Sequence, residues 1–180
     1  MSQTSSELPY AELPDHPKRY TANTVVSRFI DGLGYRYYWA TKDLREEDLN
    51  YTPSPNARNQ FETLVHIYGL SKTMLNAVVK NPNQAINSKE LQTYEGLRKA
   101  TLLNLKQTSE IHTKATEGAI EDFNIVFNRN GTTTTYPFWY MMNGPLADAM
   151  YHLGQVVTLR RSSGNPINPK VNVFLGTLPN

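Results

Sequence analysis

An all-α fold, four amphipathic helices forming a four-helix bundle with a small β-hairpin inserted before the last helix, follows from three features of the sequence. Apolar residues recur at three- and four-residue intervals in four long segments. Proline- and asparagine-rich stretches separate the first three of these segments, where the backbone ladder of a helix cannot continue. One short run, Ile125 to Tyr136, has an apolar half and a four-threonine half on either side of Asn130-Gly131, the pattern of a tight hairpin.

The first helix is predicted from Thr24 to about Leu44, with Val26, Phe29, Ile30, Leu33, Tyr37, Ala40 and Leu44 on one face. Gly32 and Gly34 weaken that expectation, each costing about 1 kcal/mol against alanine in a helix interior. The segment from Asn50 to Pro55 ends it. The second helix should run from Asn56 to Lys80 on Phe61, Leu64, Val65, Ile67, Leu70, Met74 and Val78, and Asn81-Pro82-Asn83 should stop it. Asn87 stands three residues before Glu90, a capping-box spacing that opens the third helix. That helix carries Leu91, Tyr94, Leu102 and Leu105 to about His112. Pro137 suits the first turn of the fourth, which should reach Ser163 with Gly164 beyond its end. Arg160 and Arg161 in its last turn complement the negative end of the helix dipole. Residues 1–19, rich in proline and serine, read as an irregular arm, loose or draped over the domain formed by residues 20–165. Residues 166–180 read as an extended, partly apolar tail that straps across the domain or a partner.

Composition narrows the function classes. At 180 residues the chain fits one domain whose core needs no covalent staples. It has no cysteine, so disulfides, thiolate metal sites and a cysteine nucleophile are excluded, and the expected compartment is the reducing cytoplasm. Lys plus Arg number 18 against 16 Asp plus Glu, too even a balance for the clustered positive charge that nucleic acid demands. Neither a secretory signal nor a membrane span is expected.

Chemistry concentrates in the fourth helix. Positions 141, 145, 148, 152, 156 and 159 fall on one stripe at 100° per residue, occupied by Met, Pro, Asp, His, Val and Leu. Asp148 and His152 are therefore expected to point inward. Such a pair either hydrogen-bonds to itself or converges on a cation, because side chains four apart lie about 5–6 Å from Cβ to Cβ. A cation needs a further ligand from a facing helix. His66, mid-way along the second helix in "ETLVHIYGL", is the better positioned histidine, and Glu62 four residues earlier is a second carboxylate within reach. His66 can equally be a histidine at the edge of the core. His112 reads as a half-exposed histidine near a helix end, and His16 lies in the arm with no positional case. Gln155, within one turn of His152, could fix the His152 ring or orient a water or substrate. Tyr136, Phe138, Trp139, Tyr140 and Met141 form either core or the rim of a pocket with the hairpin as lid. Tyr35, Arg36, Tyr37 and Tyr38 point in different directions on a helix and belong to packing rather than to a base-stacking surface.

A histidine mid-way along the second helix, then an i, i+4 ligand pair followed by "GQ" on the fourth, resembles the DinB-like (YfiT-like) four-helix-bundle metalloproteins. The likeness runs from "SRFIDGL" through "PSPNARNQFETLVHIYGL" to "HLGQVVTLRRSSGNP", and is nearest to a branch with "NGP…DA…H…GQ…RR.SGNP". In that family three side chains, usually histidines, hold a divalent cation, one from the second helix and two, four residues apart, from the last. Carried over by position, the resemblance implies His66, Asp148 and His152 as metal ligands. Asp148 departs from the family, which commonly has histidine there. The implied cofactor is a divalent metal ion, zinc or nickel first, iron or manganese next. The implied activity is that of a metal-dependent enzyme, a thiol-dependent transferase or hydrolase acting on a small molecule, with a low-molecular-weight thiol as partner for the transferase. The alternative is a non-catalytic bundle that binds metal or ligand and acts by association, for example as a homodimer.

Overall fold

The computed structural model describes residues 8–86 and 93–179. Within them the protein is mostly helical, with one antiparallel hairpin before the last helix. The long helices are α1 (Ala22–Thr41), α3 (Gln60–Val78), α4 (Tyr94–Lys114) and α6 (Ala147–Ser162), and a short α2 (Glu46–Asn50) joins the first two. α1 packs along α4 and α6, and α3 packs along the same two, so each long helix has two long neighbours. The core between them contains Ile30, Leu33, Tyr35, Tyr37, Leu64, Ile67, Met74, Leu97, Leu102 and Leu105, all fully buried. No described helix is long and apolar enough to cross a membrane.

Helix starts follow local chemistry. At α1, the Thr21 hydroxyl accepts from Thr24 N at 3.3 Å while Thr21 N donates to Thr24 Oγ1 at 2.8 Å. The reciprocal bonds satisfy two amides that a helix leaves orphaned. The helix stops at Thr41, three residues short of the expected end, because Asp43 takes a left-handed φ of 57°. Phe29, expected in the core, faces outward. The tyrosines behave as packing: Tyr37 is buried and donates to Thr101 Oγ1 at 3.4 Å, and Tyr35 donates to the Thr177 carbonyl at 2.7 Å. The α4 helix begins at Tyr94 with Thr93 accepting from Gly96 N at 3.1 Å, and the Asn87–Glu90 capping box and Leu91 lie outside the described residues.

The arm is draped rather than loose from residue 8 onward. Tyr10 is buried against α1 and donates to Asp31 Oδ1 at 2.9 Å, and Trp39 Nε1 donates to the Ala11 carbonyl. Gly34 permits this, since a Cβ there would stand 2.5 Å from the Tyr10 ring. A Cβ at Gly32 would meet only the movable end of Arg36, at 3.3 Å. Gly34→Ala should therefore cost about 1–3 kcal/mol and expose the arm to proteolysis. Gly32→Ala should instead be neutral or stabilising by up to about 1 kcal/mol. Urea unfolding of the two variants checks the opposite signs. The C-terminal segment meets the arm through Leu13 N and the Gly176 carbonyl at 2.9 Å. A bridge between Asn172 and Thr177 folds it back, so the tail is turned on itself rather than extended along its length.

The hairpin pairs β1 (Ile125–Arg129) with β2 (Thr132–Tyr136), turning at Asn130 (φ 50°) and Gly131 (φ 78°), as the Asn-Gly dipeptide predicts. Asn83 holds it to the end of α3: its amide donates to the Val126 carbonyl at 2.6 Å and its carbonyl accepts from Asn128 N at 2.9 Å.

The fourth predicted helix is broken. A three-residue turn, α5 (Trp139–Met141), runs into a π-helical turn (Met142–Leu146) that has a non-helical Gly144 (φ −89°, ψ −111°) before Pro145. Proline offers no N–H and pushes the preceding residue out of the helical region. The π turn inserts a residue, so the buried line that includes Met141 resumes at Leu146 instead of 145, and within α6 it continues through Ala149, Leu153 and Val156. Asp148 and His152 lie on the flank of that line.

His112, expected to be half-exposed, is 1% exposed. Its Nδ1 lies 3.1 Å from Asn23 Oδ1, and the Phe123 and Phe138 rings stand 5.1 and 5.3 Å away. Burial pulls its pKa down to about 4. In the unfolded chain the ring titrates near 6.5, so between about pH 6.5 and 4 the unfolded state binds a proton that the folded state refuses. Stability must fall as pH falls through that window, by on the order of 3 kcal/mol, and this contribution should level off below it. Thermal melts across the window check this, and His112→Gln should flatten the slope.

Candidate metal centre

The three histidine and aspartate side chains meet between α3 and α6. His66 Nε2 lies 3.1 Å from Asp148 Oδ2, and His152 Nε2 lies 3.3 Å from Asp148 Oδ1. The two imidazoles stand edge to face with centroids 4.4 Å apart. One donor atom from each residue can be chosen so that all three lie within 4.8 Å of one another, a group that could hold a metal ion. Two nitrogen or oxygen donors on one tetrahedral zinc are separated by about 3.4 Å, and neighbours on an octahedral ion by about 3 Å. The two histidine–carboxylate separations, each to a different oxygen of Asp148, fall near these spacings.

The expectation of an apolar interior around the group is corrected. Side-chain exposure is 34% for His66, 40% for Asp148 and 15% for His152, so the group sits at the open edge of the core. The buried face of α6 centres on Ala149, Leu153 and Val156, which leaves Asp148 and His152 at its margin. The position spares Asp148 the full cost of burying a charge, and its place in the first turn of α6 sets it against the positive end of that helix.

Gln155 holds His152. Its Oε1 lies 2.8 Å from His152 Nδ1, which assigns the ring proton to that nitrogen. A neutral His152 then presents the Nε2 lone pair to the Asp148 carboxylate, acceptor against acceptor. A second ring proton relieves that conflict, and so does a cation between them. Hence the donor set fits a divalent ion: two imidazoles, one carboxylate, and a partner that fixes one ring.

Glu62 does not join the group. Its carboxylate accepts from Asn59 N at 3.0 Å and its amide donates to Asn59 Oδ1 at 2.8 Å, the capping box of α3. His16 is exposed in the arm, and His112 is buried between α4 and the start of α1. The aromatic cluster divides: Phe138 and Met141 are buried, whereas Tyr136, Trp139 and Tyr140 face outward. No residue from 125 to 141 lines either cleft at the triad, so the hairpin is not its lid. Its attachment to Asn83 keeps it elsewhere.

Two clefts border the triad. One, of about 740 Å³, is lined by His66, His152 and Gln155 together with Arg58, Tyr151 and Gly154. The other, of about 490 Å³, lies on the Asp148 side against Asn143, Gly144 and Pro145. Arg58, Tyr151 and Gly154 carried no signal in the sequence, since a loop arginine, an exposed helical tyrosine and a helix glycine are each commonplace. No family model, curated protein or solved structure matches the chain.

Proposed function

We propose that the four long helices form a bundle of the DinB-like kind, that His66, Asp148 and His152 hold a divalent cation, and that the protein is a metal-dependent enzyme acting on a small molecule. The reaction class proposed is thiol-dependent transfer or hydrolysis, with a low-molecular-weight thiol as co-substrate in the first case. The closed ring of helix contacts supports the bundle. The observation that carries the rest is the convergence of three donor atoms from two helices beside an open cleft. A bound divalent cation supplies Lewis acidity, lowering the pKa of a coordinated water or thiol and polarising a bound group.

The chain's own residues do the positioning. His66 and Asp148 bring α3 and α6 together at the site, and Gln155 keeps the His152 Nε2 lone pair directed at the other two donors. Three protein donors leave coordination positions for substrate, and the cleft gives access to them. Zinc or nickel suits the two imidazoles, and replacing a histidine with Asp148 shifts preference towards iron or manganese. Transfer of cysteine or dithiothreitol to an aryl halide, and hydrolysis of aryl esters, should be lost on chelation and restored by one of zinc, nickel, manganese or iron. Activity indifferent to chelation, or retained in His66→Ala, would overturn the reading.

A further inference from the structure

The 740 Å³ cleft is within the range of small-molecule sites and no acidic side chain lines it. Its one fixed charge is Arg58. Among the described residues no ion pair or side-chain hydrogen bond engages that guanidinium. Its place is also poor for stability, because a cation beside the N-terminus of α3 opposes the helix dipole. The guanidinium is exposed at the wall of the cleft, so it is free to take an anionic partner that the chain does not supply.

Gly154 points the same way. It lies in the interior of α6, and a Cβ there would meet nothing within 4 Å. Neither backbone conformation nor packing requires glycine, and alanine would improve the helix by about 1 kcal/mol. What the missing side chain does provide is a bare floor next to His152 and Gln155.

We propose that this cleft binds a small organic carboxylate, with the carboxylate on Arg58, an apolar body over Gly154 beside the Tyr151 ring, and the reacting end at His66 and His152. The inference rests on the reading of the triad as the functional centre, and names the substrate class for it. A single guanidinium matches a monoanion in a two-point fork. At the Arg58 end a phosphate dianion finds no second cationic side chain, and the Asn59 and Glu62 amides at the start of α3 are already engaged in the capping box.

Calorimetric titration of a panel of aryl- and alkyl-carboxylates, each beside its primary amide, tests this, with protein in excess EDTA and again after adding zinc. At least one acid should bind in EDTA about tenfold more tightly than its amide. Arg58→Gln should erase that preference. Gly154→Leu should abolish binding while leaving the melting temperature unchanged or higher, which a merely structural role would not do. The proposal is overturned if no acid binds, if amides bind as well as acids, or if the preference survives Arg58→Gln. Acid binding that appears only with zinc and ignores Arg58 overturns it while leaving the cation site standing. Arg58-dependent binding by protein that takes up no zinc supports the cleft and sinks the metal reading.

Discussion

Arg160→Ala will lower the stability of the folded chain by about 2–4 kcal/mol, whereas Arg161→Ala, one residue on, will change it by less than about 0.5 kcal/mol. Both arginines lie in the last turn of α6, and the dipole argument treats them alike. The structure separates them. Arg161 is exposed, but Arg160 is buried and its Nη1 donates to the carbonyls of Trp39, Ala40 and Lys42 at 3.1, 2.9 and 3.2 Å. These are carbonyls at the end of α1 that no helical amide can reach. Its Nε and Nη2 donate to the backbone and side chain of Asn165, and Asn165 Nδ2 in turn donates to Asp48 Oδ2 at 2.6 Å. The ends of α1, α2 and α6 are thus closed by one network. Lysine at 160 should not restore stability, because one ammonium cannot fan out to acceptors on two segments.

Asp48 is the anion of that network and is itself buried. Burial pushes its carboxyl up, but hydrogen bonds from Arg45, Ser163 and Asn165 outweigh this and hold it well below the usual carboxylate range. Its contribution is fully present above the unfolded pKa of about 3.9 and is lost as pH falls below it. Asp48→Ala should flatten the acid limb of the stability curve below about pH 4, under the window assigned to His112. The double variant with Arg160→Ala should fall short of the sum of the singles, as expected for residues in one network. Urea unfolding at pH 7 and pH 3 measures both.

The second large effect is on cation affinity. Asp148→Ala or His152→Ala should weaken zinc binding by more than about 100-fold, the upper range for residues that only support a ligand. Gln155→Leu should weaken it by about 10–100-fold, because the His152 ring then loses the acceptor that fixes its tautomer. Glu62→Gln should leave zinc affinity unchanged, since its carboxylate is occupied at Asn59. Competition against a chromogenic chelator gives all four values.

The long helices and the hairpin were legible because periodicity, prolines and Asn130-Gly131 act locally. The pairing of 148 with 152 was legible in their four-residue spacing, whereas residue 66 joined them as a ligand only through the resemblance. The depth of the group was not legible. The buried face of α6 centres on Ala149, Leu153 and Val156, and positions 141 and 145 joined the stripe of 148 and 152 only on the assumption of an unbroken helix through Gly144-Pro145. Gly34 read as a defect in α1 because the ring that needs it, Tyr10, is 24 residues away along the chain. Asp48 carried no signal within "REEDLN", since its partners Ser163 and Asn165 come from the other end of the protein. Long-range contacts of that kind leave no trace in local pattern.

Metal content, measured by elemental analysis on full-length protein purified without an affinity tag, bears on the central claim most directly. About one divalent ion per chain is expected in the parent protein, and close to none in His152→Ala, with the helical circular dichroism of the two superimposing. A variant that keeps the parent's metal content, or a parent that takes up no zinc, nickel, iron or manganese when each is supplied in excess, would contradict it.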